Sequence, residues 1–254
     1  MTKRYFIELS YLGTHYHGWQ IQPNAITVQE KLNEALRILF HSKMMVTGCG
    51  RTDTGVHAKQ FFAHIDLDME SLKFPPEQLV YKLNSLLPFD IAIQRIFEVK
   101  PNAHARFDAT SRTYEYYLTI EKDPFLRELS YLSPFKNLDF MIMNEAAHIL
   151  FDYEDFQCFS KVNTDVATFN CKIMKAEWIK KDQETWVFKI QADRFLRNMV
   201  RAIVGTLLEI GRGKMSLHEF RQVIESKNRS NAGWSVPGKA LFLTKIEYPY
   251  IAQQ

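Results

Sequence analysis

The sequence predicts an α+β fold built from two ferredoxin-like (RRM-like) halves. Each half is an antiparallel sheet flanked by helices, and the active-site cleft is expected between them. Two observations carry this prediction. Apolar residues alternate between a period of two and a period near 3.6, and the resulting strands and helices run through the split β-α-β order twice in succession. A length of 254 residues is room for two such units, and the expected division is 1–104 and 105–254.

The first half opens with Tyr5, Ile7, Leu9 and Tyr11 alternating with Phe6, Glu8 and Ser10, the pattern of a half-buried strand. Thr27-Val28-Gln29-Glu30 reads as a capping box, and Val28, Leu32, Ala35, Leu36 and Leu39 follow at helical spacing. Met44 to Cys49 and Phe61 to Leu67 are the next strands, separated by the glycine-bearing loop Gly50 to Lys59. Pro75-Pro76 opens a helix through Leu79, Val80, Leu83 and Leu86, which Pro88 ends, and Ile91 to Phe97 is a fourth strand.

The second half restarts with Tyr114, Tyr116, Leu118 and Ile120 in alternation. A helix is predicted around Phe140 to Leu150, and paired strands over Phe169 to Trp178 and Trp186 to Ala192 flank the turn Lys180-Lys181-Asp182. Apolar residues at 196, 199, 200, 203, 204 and 207 predict a helix from Leu196 to Ile210. Ser216-Leu217-His218-Glu219 is a second capping box, and Leu241 to Tyr248 closes the chain as a strand.

Composition narrows the class of function. With 46% hydrophobic and 24% charged residues the chain is too apolar for disorder, yet no apolar run approaches the roughly 18 residues of a membrane span. A soluble chain with no membrane association is expected. Cys49, Cys158 and Cys171 are odd in number and widely spaced, which predicts neither a disulfide framework nor a zinc site and fits a reducing cytoplasm. Met1 to Tyr5 runs directly into the first strand pattern, so no secretory signal is expected. A formal net charge of +3 is too small to imply a polyanionic partner by itself.

The most unusual segment is Gly48-Cys49-Gly50-Arg51-Thr52-Asp53-Thr54-Gly55-Val56-His57-Ala58, with three glycines around one carboxylate. Glycines permit tight turns and close backbone approach to a ligand, and Arg51 two residues before Asp53 would keep the carboxylate ionised. On residue pattern alone Asp53 reads either as a nucleophile or general base, or as a turn residue that satisfies loop amides. Asp53-Thr54-Gly55 also matches the short signature of aspartic proteases. Those enzymes need two such carboxylates and this chain has one copy; a homodimer could supply the second, but the several capped helices conflict with an all-β protease.

Gly50-Arg51-Thr52-Asp53-Thr54-Gly55-Val56-His57-Ala58 resembles the central motif of the TruA family of tRNA pseudouridine synthases, G-R-T-D-A-G-V-H, with Thr54 in place of alanine. Further family-like segments follow in the expected order. They are Tyr16-His17-Gly18-Trp19-Gln20 with Thr27-Val28-Gln29-Glu30, Phe107 to Tyr116, Phe195-Leu196-Arg197-Asn198-Met199-Val200-Arg201, and Gly238 to Leu243.

The resemblance implies an isomerase that converts uridine to pseudouridine at positions 38, 39 and 40 of the tRNA anticodon arm, without cofactor or metal, working as a homodimer. It makes Asp53 the catalytic aspartate, Tyr114 an active-site tyrosine, and Arg201 the arginine paired with the aspartate. Arg51 is expected at the substrate. Arg194, Arg197 and Arg201 recur at i, i+3 and i+7, which on a helix would align them as a phosphate rail or as a solvated face. His57 reads as an RNA contact, an orienter of the loop or simply a structural polar residue, and His15-x-His17 lacks a partner at a metal-binding spacing. The alternative is a non-catalytic RNA-binding protein with two ferredoxin-like modules. The aromatic sheet signature of such modules is absent, and simple binding has no need of an acid-bearing glycine loop.

Overall fold

The computed structural model describes residues 2–68, 74–162 and 166–251. Its elements are β1 (Thr2–Tyr11), α1 (Val28–Phe40), β2 (Thr47–Gly48), β3 (His57–Asp68), α2 (Pro76–Leu86), β4 (Ile91–Val99), β5 (Ser111–Thr119), β6 (Tyr131–Leu132), α3 (Phe140–Ile149), β7 (Ile173–Lys180), β8 (Thr185–Ala192), α4 (Met199–Gly211), α5 (Leu217–Glu225) and β9 (Leu241–Glu247). The fold is the mixed α+β class read from the sequence, with mostly antiparallel pairing. The chain forms two compact units. One holds the chain up to Thr110 and again from Leu243 onward, and the other spans Ser111–Phe242. Residues 105–110 and the closing strand from Leu243 on, read from sequence as part of the second half, thus group with the first unit. Thr110 shows why: its backbone N–H and its hydroxyl both donate to the Glu247 carbonyl, at 2.8 and 3.1 Å.

In the first unit the strand order is β4-β1-β3-β9, and β2 also pairs with β3. Phe6 stands opposite His64 on one side of β1 and Phe97 on the other. The helix α1 begins as its sequence indicates, with the Thr27 side chain accepting from the Glu30 N–H, and it buries Val28, Leu32, Ala35 and Leu36. Burial of Val28, Leu32 and Leu36 contributes about 1.5–3 kcal/mol each. The strand expected over Met44 to Cys49 is only two residues long. Side chains of α1 capture the backbone just before it, for Gln29 donates to the Val46 carbonyl and Val46 N–H donates to Asn33. The predicted loop is shorter than expected at its far end, since β3 already starts at His57 and pairs Ala58 with Tyr11.

The second unit orders its strands β5-β8-β7, and β6 lies parallel to β5. The strand expected from Phe169 starts at Ile173. The preceding residues pair instead with the chain after α3, through Phe156 N–H to the Phe169 carbonyl and Cys171 N–H to the Glu154 carbonyl. Helix α4 is the core of this unit: of its 13 residues, only Arg201 and Glu209 are not buried.

One expectation fails here. The helix does not run from Leu196, because Asn198 has φ +69° and a right-handed helix cannot pass through a left-handed residue. Arg194 and Arg197 therefore lie in the connection before α4, and the three arginines do not share a helix edge. Leu196 is buried without being helical, which is why its apolar spacing misleads.

Candidate active site

Residues 49–56 connect β2 to β3 and carry Asp53, which is half-buried between the buried Thr52 and the exposed Thr54. Arg51, on the same loop, is exposed. The loop is held at several points by the end of β1 and the chain that follows it. The Tyr11 hydroxyl lies 2.9 Å from Thr52 Oγ1, and Gly55 N–H donates to the Tyr16 carbonyl at 3.2 Å. Within the loop, Val56 N–H closes a turn onto the Asp53 carbonyl at 3.1 Å. Gly55 sits at φ +77°, a conformation natural to glycine. His57, fully buried, accepts the Gly13 N–H on Nδ1 at 2.9 Å, so it pins the loop's end structurally.

Two glycines make this close fit possible. A Cβ on Gly18 would lie 2.1 Å from the Thr52 carbonyl oxygen, and one on Gly13 would lie 2.0 Å from that of Val56. Gly18 also needs its φ of +83°. Behind the loop, Trp19 stacks on Phe61 with ring centroids 4.1 Å apart, and Tyr16 donates its hydroxyl to Asp90 Oδ1 at 2.5 Å. Burial and that carboxylate together raise the Tyr16 hydroxyl pKa. A carboxylate carried on backbone secured on both sides is suited to covalent or acid–base work, since its position costs no ordering at the moment of reaction.

In the second unit, Tyr114 lies half-buried on β5, its ring edge-on to Phe195 at 5.2 Å and 90°. Arg201 lies two residues into α4, and its Nε donates to the Val236 carbonyl at 2.7 Å. Arg194 is half-buried beside Asp193, whose Oδ1 accepts the Arg194 N–H at 2.7 Å. Arg197 is exposed, and its carbonyl accepts from Lys161 N–H. The structure thus places Arg51 and Asp53 on one loop of the first unit, and in the second unit it sets Tyr114 against Phe195 and Arg201 against Val236.

Sequence reasoning gave no supporting role to Tyr11 and Gly18 around the acid loop, or to Arg229 and Ser235 in the segment that carries Val236. Arg229 donates to the carbonyls of Ala232 (3.3 Å) and Gly233 (3.0 Å) and to Ser235 Oγ, which also accepts from Asn198. The one available signal was the glycine in each segment, Gly18 and Gly233.

Among the described residues no group of three or more His, Cys, Asp or Glu side chains is placed to hold a metal ion. The buried thiols of Cys158 and Cys171 are pushed up to about 12 by burial, which keeps them protonated and poorly nucleophilic. No helix among the described residues is long and apolar enough to cross a membrane.

A family model described as tRNA pseudouridine synthase matches residues 9–108 and 146–249. The chain is 58% identical over 247 residues to the tRNA pseudouridine synthase A of Bacteroides fragilis, covering 97% of each chain. It is 53% identical over 249 residues to the protein of that name from Porphyromonas gingivalis, again covering 97% of each. A more distant relative of the same name, from a Geobacillus species, is 40% identical over 251 residues, covering 98% of this chain and 99% of the relative.

Proposed function

Because the chain belongs to the tRNA pseudouridine synthase family, we propose that it isomerises uridine to pseudouridine at positions 38, 39 and 40 of the tRNA anticodon arm, with Asp53 as the catalytic carboxylate. The observation that carries the assignment to Asp53 is its loop. The family-like motif Gly50 to Ala58 presents one partly exposed carboxylate on backbone tied to Tyr11, Gly13 and Tyr16.

The reaction breaks the N1–C1′ glycosidic bond, turns the uracil, and forms a C5–C1′ bond. N1 gains a proton and C5 loses one, so no electrons are exchanged with an outside reagent. A carboxylate serves this chemistry by attacking C1′, by adding to C6, or by removing the 2′ proton, and carboxylates act as covalent nucleophiles in glycosyl transfer. A base in or beside a stem must first be extruded to be reached. Tyr114, braced edge-on by Phe195, supplies a ring for stacking on the extruded uracil and a hydroxyl for the C5 proton. Arg201 supplies the cation that the resemblance pairs with the carboxylate, and its fixed Nε contact aims the guanidinium. Arg51 acts at the substrate. Arg194 and Arg197, now placed on the connection before α4, are phosphate contacts that set register without reading sequence. The homodimer and the cytoplasmic location belong to the same proposal.

The test uses unmodified tRNA tritiated at C5 of uridine, incubated with purified protein without added metal or nucleotide. Tritium release, with products mapped to positions 38–40, is the expected result. Tight tRNA binding without release, on tRNAs carrying uridine at each position, would contradict the proposal and leave an RNA-binding protein.

A further inference from the structure

We infer that Tyr11 is a positioning residue for Asp53, acting through the hydroxyl of Thr52. The inference rests on the reading of Asp53 as the catalytic carboxylate.

Tyr11 is the last residue of β1. The β1–β3 register shifts between Leu9 and Tyr11, and the irregularity brings Tyr11 opposite Ala58, just past the end of the acid loop. Bulges of this kind re-aim a side chain. The Tyr11 ring is 3% exposed and packs against Phe61 and Trp19, with centroids 5.7 and 6.3 Å away. Its hydroxyl meets Thr52 Oγ1 at 2.9 Å in a buried contact.

Thr52 immediately precedes Asp53 and is itself 9% exposed. As a β-branched residue it has restricted χ1 freedom, so anchoring its Oγ1 anchors its backbone as well. That backbone has little room to drift on the other side, since the Thr52 carbonyl oxygen lies against the Cβ-less face of Gly18. The strand thereby fixes the entry of the chain into Asp53, while the Asp53–Val56 turn and the Gly55–Tyr16 bond fix its exit. Through Thr52, Tyr11 acts on the backbone that leads into Asp53, which makes its role geometric.

The consequence is an effect on turnover in place of binding. Misplacement of a reacting group by about 1 Å costs on the order of 100-fold in rate. Tyr11→Phe, which keeps the ring and its packing, is expected to lower the single-turnover rate of pseudouridine formation about 10- to 100-fold with tRNA affinity within about twofold. Thr52→Val is expected to lose a similar factor, and Thr52→Ser, which retains the hydroxyl, less. The double variant Tyr11→Phe/Thr52→Val is expected to lose no more than Thr52→Val alone, because both changes remove the same contact.

Asp53→Asn is measured beside them. If Asp53→Asn is inactive while Tyr11→Phe runs at the wild-type rate, the positioning role is overturned and the reading of Asp53 stands. Losses that multiply in the double variant, or that appear only in affinity, overturn it equally. An Asp53→Asn enzyme that still turns over removes the reading beneath the inference, and the inference with it. If Tyr11→Phe fails to fold, Thr52→Val against Thr52→Ser decides: equal rates overturn the role.

Discussion

Arg201 and Val236 exchange two hydrogen bonds. Arg201 Nε donates to the Val236 carbonyl at 2.7 Å, and Val236 N–H donates to the Arg201 carbonyl at 3.3 Å. The strap that carries Val236 is drawn onto α4 along its length. Gly233 N–H donates to Thr206 Oγ1 at 2.9 Å, Asn198 donates to Ser235 Oγ at 2.7 Å, and a Cβ on Gly205 would stand 1.8 Å from the Trp234 carbonyl oxygen. The guanidinium of Arg201 is therefore oriented by residues some thirty positions downstream.

Arg229 holds that strap by bridging Ala232, Gly233 and Ser235. Lysine keeps the charge but lacks the planar fork that spans three acceptors. Arg229→Lys is expected to cost about 1–3 kcal/mol in urea denaturation and to lower turnover as Arg201 loosens. A variant with wild-type stability and rate would show that the bridge is idle.

Glycine-to-alanine changes separate steric from conformational demands. Gly205→Ala meets backbone at 1.8 Å, and Gly18→Ala meets the Thr52 carbonyl at 2.1 Å with φ +83°. Each is expected to cost about 3 kcal/mol or more, and Gly18→Ala to reduce turnover too. Gly213 has φ +68° but open space around it, so Gly213→Ala is expected to cost only about 1–2 kcal/mol. Thermal denaturation of the three variants checks the order.

Acid stability should depend on His64. Its Nδ1 accepts the Ala105 N–H at 3.2 Å, its ring is buried, and Arg4 and His104 stand beside it together with Asp66 and Asp108. Burial first, and then the charge of Arg4, lower its pKa from 6.5 to about 4. Between those values the unfolded chain binds the proton and the folded one does not, so stability is full above pH 6.5 and falls as pH drops toward 4. Burial lowers the His104 pKa as well and adds in the same direction. Asp66, lowered by its hydrogen bond from Arg4, and Asp108, lowered by the His104 N–H, act only below their ordinary 3.8. His64→Gln is expected to flatten the slope between pH 6.5 and 4 in denaturation curves, and an unchanged slope would exclude His64 as its source.

Helix α1 ends at His41, exposed and in the left-handed region at φ 52°, ψ 28°. Glycine carries no Cβ penalty there. His41→Gly is expected to raise stability by about 1 kcal/mol, or roughly 2–4 °C in Tm. A lower Tm would mean that the imidazole makes a compensating contact.

The element order was legible because apolar periodicity follows burial closely here. The second capping box forms in full, Ser216 accepting from Glu219 N–H and Glu219 accepting from Ser216 N–H. Periodicity failed where burial and helicity part, as at Leu196, which is buried ahead of the left-handed Asn198. It failed again at Val46, whose backbone is taken by Gln29 and Asn33.

The acid loop announced itself through its glycines, and the residues that hold it did not. Tyr11 reads locally as one more alternating strand residue, and Arg229 as a charge after a helix. Their roles depend on partners 41 residues away for Tyr11 and on a strap folded back on α4 for Arg229. No local spacing encodes either.

The most direct test of the account compares wild type and Asp53→Asn in tritium release from C5-labelled tRNA, with tRNA affinity measured on the same preparations. The substitution is nearly isosteric; it removes the charge and replaces one acceptor oxygen with an NH2 donor. The account predicts unchanged affinity within about threefold and a turnover loss of at least about 1,000-fold. An Asp53→Asn enzyme that releases tritium at the wild-type rate would contradict it.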